Sequence, residues 1–206
     1  MQKENMQLNN ITVFCGSSSG TDPIYKRAAF QLGKTLADKR IGLVYGGAKV
    51  GLMGAVANGV LENKGRAIGV IPRFLKSVEI AHESLTELIL VDTMHQRKAK
   101  MDELSDAIIA LPGGFGTMEE LFEMLTWGQL GLHKKPVGIL NTDGFYDELL
   151  ALSDKMVACG FLKQGNRDML LVDADIDRLL EKMHQYEAPL TGKWIGRKED
   201  QLRDKL

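Results

Sequence analysis

The chain has 206 residues, 44% hydrophobic and 26% charged, which suits one domain with a sizeable core and leaves too little for two ordinary ones. Lys and Arg number 26 against 27 acids, so the broad basic surface that nucleic acid or an anionic membrane requires is excluded; any phosphate recognition must come from a local site. No apolar run reaches membrane-spanning length and Met1–Asn10 is polar, without a signal-peptide core. Cys15 and Cys159 are isolated, read as ordinary buried thiols of a reducing compartment, and offer no metal cluster; a cytoplasmic chain is expected.

Short β-rich runs alternate with helical patterns from end to end. Ile11–Cys15 reads as a first strand, and Asp22-Pro23 opens a helix with a cap followed by proline at the first helical position. Ile41–Tyr45 is a second strand, Val50–Asn63 a helix, Arg66–Ile71 a third strand and Glu87–Val91 a fourth. Thr93–Leu104 is a helix, Ala107–Leu111 a fifth strand, and a helix runs from about Met118 to Leu130. Pro136–Leu140, a helix over Phe145–Cys159, a strand at Met169–Val172 and a helix over Ile176–Tyr186 complete the series. The run Ala107-Ile108-Ile109-Ala110-Leu111 is apolar throughout instead of alternating, as in strands buried on both faces of a parallel sheet. The expected fold is a single α/β domain over 11–190, doubly wound and mainly parallel with Rossmann-like topology. It follows a flexible segment 1–10 and precedes a charged tail 191–206. Ligands of such sheets bind beyond the carboxyl ends of the strands.

The most informative stretch is Leu111-Pro112-Gly113-Gly114-Phe115-Gly116-Thr117-Met118-Glu119-Glu120. A buried strand enters three glycines within four positions and then a helix, whose free N–H groups and positive dipole end suit an anion. No Gly-Lys-Ser/Thr follows, so this is no Walker A loop. The glycine spacing and the position after the fifth strand exclude the dinucleotide fingerprint. The plainer reading is a tight turn with a capping box, in which Glu120 bonds back to the Thr117 backbone. Arg97 and Lys98 sit at the N-terminal end of their helix, where the dipole disfavours cations. They read either as a solvated basic face or as ligand contacts. On either reading Arg97 is taken as a surface cation, whose truncation is expected to cost within about 0.5 kcal/mol. His95 has no partner at metal-ligand spacing. Gly46 and Gly47 suit ligand proximity and Gly54 close packing, while Gly16-Ser17-Ser18-Ser19 offers hydroxyls and amides at the same sheet edge.

With these residues in hand, the chain resembles the Lonely Guy (LOG) family of cytokinin riboside 5′-monophosphate phosphoribohydrolases. The likeness rests on Pro112-Gly113-Gly114-x-Gly116-Thr117-x-x-Glu120, on Arg97-Lys98 upstream, and on Tyr45-Gly46-Gly47 with Gly51-x-Met53-Gly54. It covers roughly Ile11 to Glu187. The resemblance implies a catalytic pair, Arg97 and Glu120. It also implies nucleotide contacts from Glu79, Arg97, Lys98, Gly113, Gly114, Phe115, Gly116, Thr117, Met118, Glu119 and Thr126. Thr126 is seven residues after Glu119, on the same helical stripe. A homodimer with sites near its interface is implied too, and no metal or organic cofactor. The implied reaction hydrolyses the N-glycosidic bond of a purine nucleoside 5′-monophosphate. Rival readings are a general AMP-type nucleosidase and a non-catalytic nucleotide or cofactor carrier. A lysine decarboxylase, the label once attached to the family, has no support, because no lysine sits in a recognisable pyridoxal-phosphate context.

Overall fold

Seven short apolar strands, none longer than six residues, form one sheet in the computed structural model, which describes residues 6–75 and 81–189. The strands are β1 (Asn10–Phe14), β2 (Gly42–Tyr45), β3 (Ala67–Pro72), β4 (Glu87–Val91), β5 (Ala107–Ala110), β6 (Val137–Leu140) and β7 (Leu170–Asp173). Their order is β4-β3-β2-β1-β5-β6-β7 and every pairing is parallel. β2, β5 and β6 are buried at every position, as continuous apolar runs require when both faces are covered. The helices are α1 (Pro23–Asp38), α2 (Gly51–Glu62), α3 (Met94–Leu104), α4 (Phe115–Leu130), α5 (Asp147–Ala158), α6 (Gln164–Arg167) and α7 (Ile176–His184).

Strand alternation divides the core in two. Ile11, Val13, Ala107 and Ile109 pack with residues of α1, α2 and α7, while Phe14, Ile108 and Ala110 pack with Met101 of α3 and Leu121 and Met124 of α4. The result is the expected doubly wound α/β domain. From β1 the chain steps outward to β4 and then returns to β5 on the far side of β1. That reversal opens a crevice beyond the carboxyl ends of β1 and β5, where ligands of open parallel sheets bind.

Three boundaries differ from the sequence reading. α4 begins at Phe115, three residues before Met118, with Gly114 at its N-cap. A 3-10 turn at Thr142–Gly144 precedes α5, which starts at Asp147, and the short α6 has no counterpart in the periodicity. Segment 6–10 is tied down: Leu8 is buried, the His184 ring donates to the Met6 carbonyl at 2.9 Å, and the Asn9 amide donates to Asp106 Oδ2 at 2.8 Å. The charged tail expected over 191–206 lies outside the described residues. Asp22 caps α1 as expected, its carboxylate accepting from the Ile24 amide at 2.8 Å.

Candidate active site

The loop after β1 is fastened on both sides of the crevice. The Gly16 amide donates to the Pro112 carbonyl at 3.0 Å, and the Leu52 amide donates to the Gly16 carbonyl at 3.0 Å. Beside it, the Thr117 side chain folds back over Gly113, where a β-carbon would come within 2.1 Å of Thr117 Oγ1 and 2.9 Å of the Gly16 nitrogen. Gly113 therefore serves packing, and the free surface of the turn belongs to Gly114 and Gly116, where an added β-carbon meets nothing within 4 Å. The first helical hydrogen bond runs from the Met118 amide to the Gly114 carbonyl at 3.1 Å. The amides of Phe115, Gly116 and Thr117 therefore precede the helical ladder, at the positive end of the dipole.

This start corrects the capping-box expectation. Thr117 is the third residue of the helix and buried, not its N-cap, and the cap makes no side-chain hydrogen bond. Glu120 stands in the second turn, so its carboxylate has no capping duty to perform.

A cavity of about 380 Å³ opens in front of this turn. Arg97, Glu119, Glu120, Gly46 and the Gly114–Thr117 turn line it, with Cys15 and Ser17 from the loop after β1. Met53, Met94 and Met101 supply a soft apolar wall. A second, more apolar chamber of about 290 Å³ adjoins it at Gly16, Ser17 and Gly114, walled by Tyr25, Leu52 and Phe145.

Arg97 is only 6% exposed, which overturns its reading as a surface cation. Thr93 caps α3, its hydroxyl accepting from the Gln96 amide at 3.1 Å, and the Thr12 hydroxyl on β1 donates to the Met101 carbonyl at 3.1 Å. These ties aim the first turns of α3 at the sheet edge. The guanidinium then lies across Gly46, where a β-carbon would stand 2.1 Å from Nη2. Its Nη1 reaches only the Met94 sulfur, at 3.8 Å, and its buried Nε–H finds no hydrogen-bond partner among the described residues. A buried guanidinium at a cavity wall, with donors unpaired among the described residues, has the chemistry to receive an anion or a polar ligand atom. Burial pushes the Cys15 thiol well above its ordinary pKa, the Glu120 charge pushes it further, and the Arg97 charge opposes them. The thiol is held neutral beside both.

The expected site residues separate into two groups. Gly46, Arg97, Gly114, Phe115, Gly116, Thr117, Glu119 and Glu120 meet at the cavity. Gly47, at φ 81°, instead faces Gly69, Ile71 and Leu88, and Met118 packs into the core beneath α4. Lys98 is buried, with Nζ 2.5 Å from Glu119 Oε1 and 2.9 Å from Glu123 Oε2, and does not line the cavity. Burial lowers its pKa, but hydrogen bonds and charge from Glu119 and Glu123 outweigh that and raise it, so the ammonium stays charged. Thr126 is exposed and its hydroxyl donates to the Phe122 carbonyl at 2.7 Å, two turns from the cavity. Glu79 lies outside the described residues. Gly54 packs as expected, but against its own preceding turn, at the Lys49 carbonyl. Among the described residues no three of His, Cys, Asp and Glu are grouped to hold a metal ion.

Sequence reasoning missed the methionine wall and Cys15. For α3 a signal existed. Met94, Arg97, Lys98 and Met101 fall at i, i+3, i+4 and i+7, so the two cations occupy the stripe that apolar residues fill in an ordinary surface helix.

Over residues 53–183 the chain matches the family described as "Possible lysine decarboxylase". It is 52% identical over 180 residues, 87% of this chain and 81% of the other, to the probable cytokinin riboside 5′-monophosphate phosphoribohydrolase LOGL1 of Oryza sativa subsp. japonica. The cytokinin riboside 5′-monophosphate phosphoribohydrolase LOG7 of Arabidopsis thaliana is 45% identical over 205 residues, 98% of this chain and 94% of that one. The chain belongs to the LOG family. Among solved structures, the molybdenum cofactor binding protein of Rippkaea orientalis shares its fold at 24% identity and a TM-score of 0.64, covering 85% of this chain and 95% of the other. The molybdenum cofactor carrier protein of Chlamydomonas reinhardtii does so at 22% and 0.62, covering 85% and 100%. At such identities these two speak for the α/β fold alone. Of the segments Arg97-Lys98 and Pro112–Glu120, Arg97, Gly114–Thr117, Glu119 and Glu120 line the cavity.

Proposed function

We propose that this LOG-family chain hydrolyses the N-glycosidic bond of N6-modified adenosine 5′-monophosphates, releasing the free base and ribose 5-phosphate. The observation that carries this reading is one cavity holding the Arg97 guanidinium, the Glu120 carboxylate and the ladder-free amides of Phe115–Thr117. The names of the rice and Arabidopsis relatives support the same activity.

The chemistry follows from charge. As the bond to the base breaks, the ribose ring becomes cationic and the base gains the bonding electron pair. Glu120 stabilises the ring charge and orients, or takes a proton from, the water that adds at the anomeric carbon. Arg97 orders the site and assists the departing base or the phosphate-bearing sugar, while the α4 amides grip the 5′-phosphate and select monophosphates over nucleosides. Glu79, Met118 and Thr126 remain proposed contacts through family resemblance alone, and Gly47 through its place in the glycine turn after β2.

The enzyme is further proposed to act as a cytoplasmic homodimer on a small nucleotide, without nucleic acid or metal. Phe115, Phe122 and Leu130 are exposed along one stripe of α4 that also carries Thr126, which supports an apolar face for a second copy near the site. Cys159 is exposed and not buried as its isolation in the sequence suggests, and two free thiols suit a reducing compartment.

Incubation with AMP, isopentenyladenosine 5′-monophosphate and the two parent nucleosides, followed by chromatography for free base, tests the activity. Release from the monophosphates alone is the expected result, and relative rates rank the cytokinin nucleotide against AMP. A folded protein that binds AMP and releases no base refutes the reading in favour of a carrier.

A further inference from the structure

Lys98 neighbours Arg97 in sequence yet turns away from the cavity. Adjacent helical residues point about 100° apart, so a helix that aims Arg97 at the cavity aims Lys98 sideways, here at α4. Its ammonium is 2.5 Å from Glu119 Oε1 and 2.9 Å from Glu123 Oε2. Glu119 and Glu123 are four apart and share a face of α4, with Glu120 beside them. One buried ammonium thus joins the helix carrying Arg97 to the helix carrying Glu120. Apolar packing of Met101 with Leu121 and Met124 also holds the two helices together, and Lys98 adds a charged link beside it, next to Arg97 itself.

We propose that Lys98 is a positioning residue, whose bridge to Glu119 and Glu123 sets the separation of Arg97 and Glu120 across the cavity. This role rests on the proposed hydrolase reading and assigns Glu123, which lies off the cavity wall, an indirect part in turnover. It differs from a substrate contact in a way that can be measured. Removing Lys98 leaves the cavity carboxylate of Glu119 uncompensated and so raises KM on either account. Glu123→Gln is the sharper probe, because Lys98 and Glu119 still neutralise each other while half of the bridge is lost.

Steady-state base release from AMP is compared for the wild type, Glu123→Gln, Lys98→Met, Lys98→Arg and the double variant Lys98→Met/Glu123→Gln. A misplacement approaching 1 Å can cost about 100-fold. Glu123→Gln, which loosens the bridge only in part, is expected to lose about ten-fold in kcat at unchanged KM. Lys98→Arg retains most of kcat, and Glu123→Gln costs nothing further once Lys98 is Met. Wild-type kcat in a folded Glu123→Gln, or a Lys98→Met variant impaired in KM alone, overturns the proposal. Crystal structures of the wild type and the double variant test it without turnover. A displaced Arg97 relative to Glu120 supports the bridge and an unchanged one refutes it. If the wild type itself releases no base, the hydrolase reading falls, and the two structures still decide whether Lys98 positions the pair.

Discussion

Substituting Gly116 by alanine separates folding from binding at the nucleotide turn. Gly116 is the second residue of α4, its φ lies outside the left-handed region, and an added β-carbon meets nothing within 4 Å. Replacing glycine at such a position stabilises by about 0.4–1 kcal/mol, chiefly by restricting the unfolded chain. For a chain of this length that raises Tm by about 1–4 °C. Cα–Cβ bonds of a helix tilt toward its N-terminus, so the new methyl stands over the turn where the phosphate is proposed to sit. Displacing the phosphate from one amide forfeits a hydrogen bond to a charged group, about 1.5–3 kcal/mol, or roughly 10- to 150-fold in KM for the monophosphate. Gly113→Ala is the opposite case, since its β-carbon would lie 2.1 Å from Thr117 Oγ1 and 2.7 Å from Thr117 Cβ. Overpacking of that kind costs about 1–3 kcal/mol and lowers Tm. Thermal melts with base-release kinetics on both variants provide the assay. A Gly116→Ala protein that melts higher and keeps its KM for AMP refutes the phosphate seat.

Other perturbations address the remaining parts of the site. Glu120→Gln should lower kcat by about 100- to 10,000-fold in a protein that still folds; near-normal turnover removes Glu120 from catalysis. Gly46→Ala places a methyl 2.1 Å from Arg97 Nη2 and 2.9 Å from the Met53 sulfur, both ends of flexible side chains. Folding should survive and kcat drop by up to about 100-fold, and an unchanged rate means that the guanidinium is not needed where it lies. Cys15, Tyr45 and Tyr146 are buried and all hold their protons above their ordinary pKa values of 9.0, 10.0 and 10.0. The unfolded chain releases those protons first, so their stabilisation is complete below about pH 9 and declines as pH rises, by up to about 1.4 kcal/mol per unit for each group. Melts across alkaline pH should show that decline, with a later onset in Cys15→Ala; an identical onset shows that Cys15 does not contribute.

Fold and site were legible to different depths. Continuous apolar strands between helical patterns gave the parallel α/β sheet, because burial on both faces leaves a one-dimensional signature. The start of α4 was misplaced for a local reason. Gly114 and Gly116 read as loop, and Thr117-x-x-Glu120 imitated a capping box, yet the first turn of a helix needs no side-chain cap where its amides face a ligand cavity. Thr126 shows the limit of stripe arguments. It shares a face with Glu119, but seven residues at about 1.5 Å rise place it some 10 Å farther from the crevice. Its contact with the nucleotide therefore rests on the resemblance and not on the stripe.

Cys15 carries the point furthest. As an isolated apolar-flanked thiol it reads as core, and it is core: 7% exposed, neutral, at the end of a buried strand. It also lines the cavity between the influence of Glu120 and Arg97. Membership of both follows from topology, which no local window contains. β1 is the strand from which the chain winds outward to β4 and beside which it returns as β5, so its carboxyl end is walled in by both halves. The loops after β1, β2 and β5 lie far apart in the chain, and meet only because strands β2 and β5 both pair with β1. Arg97 then reaches the same point from α3 because Gly46, ending β2, leaves its guanidinium room. A buried residue at that reversal is therefore a wall of the site by construction, and core and site were never alternatives for it.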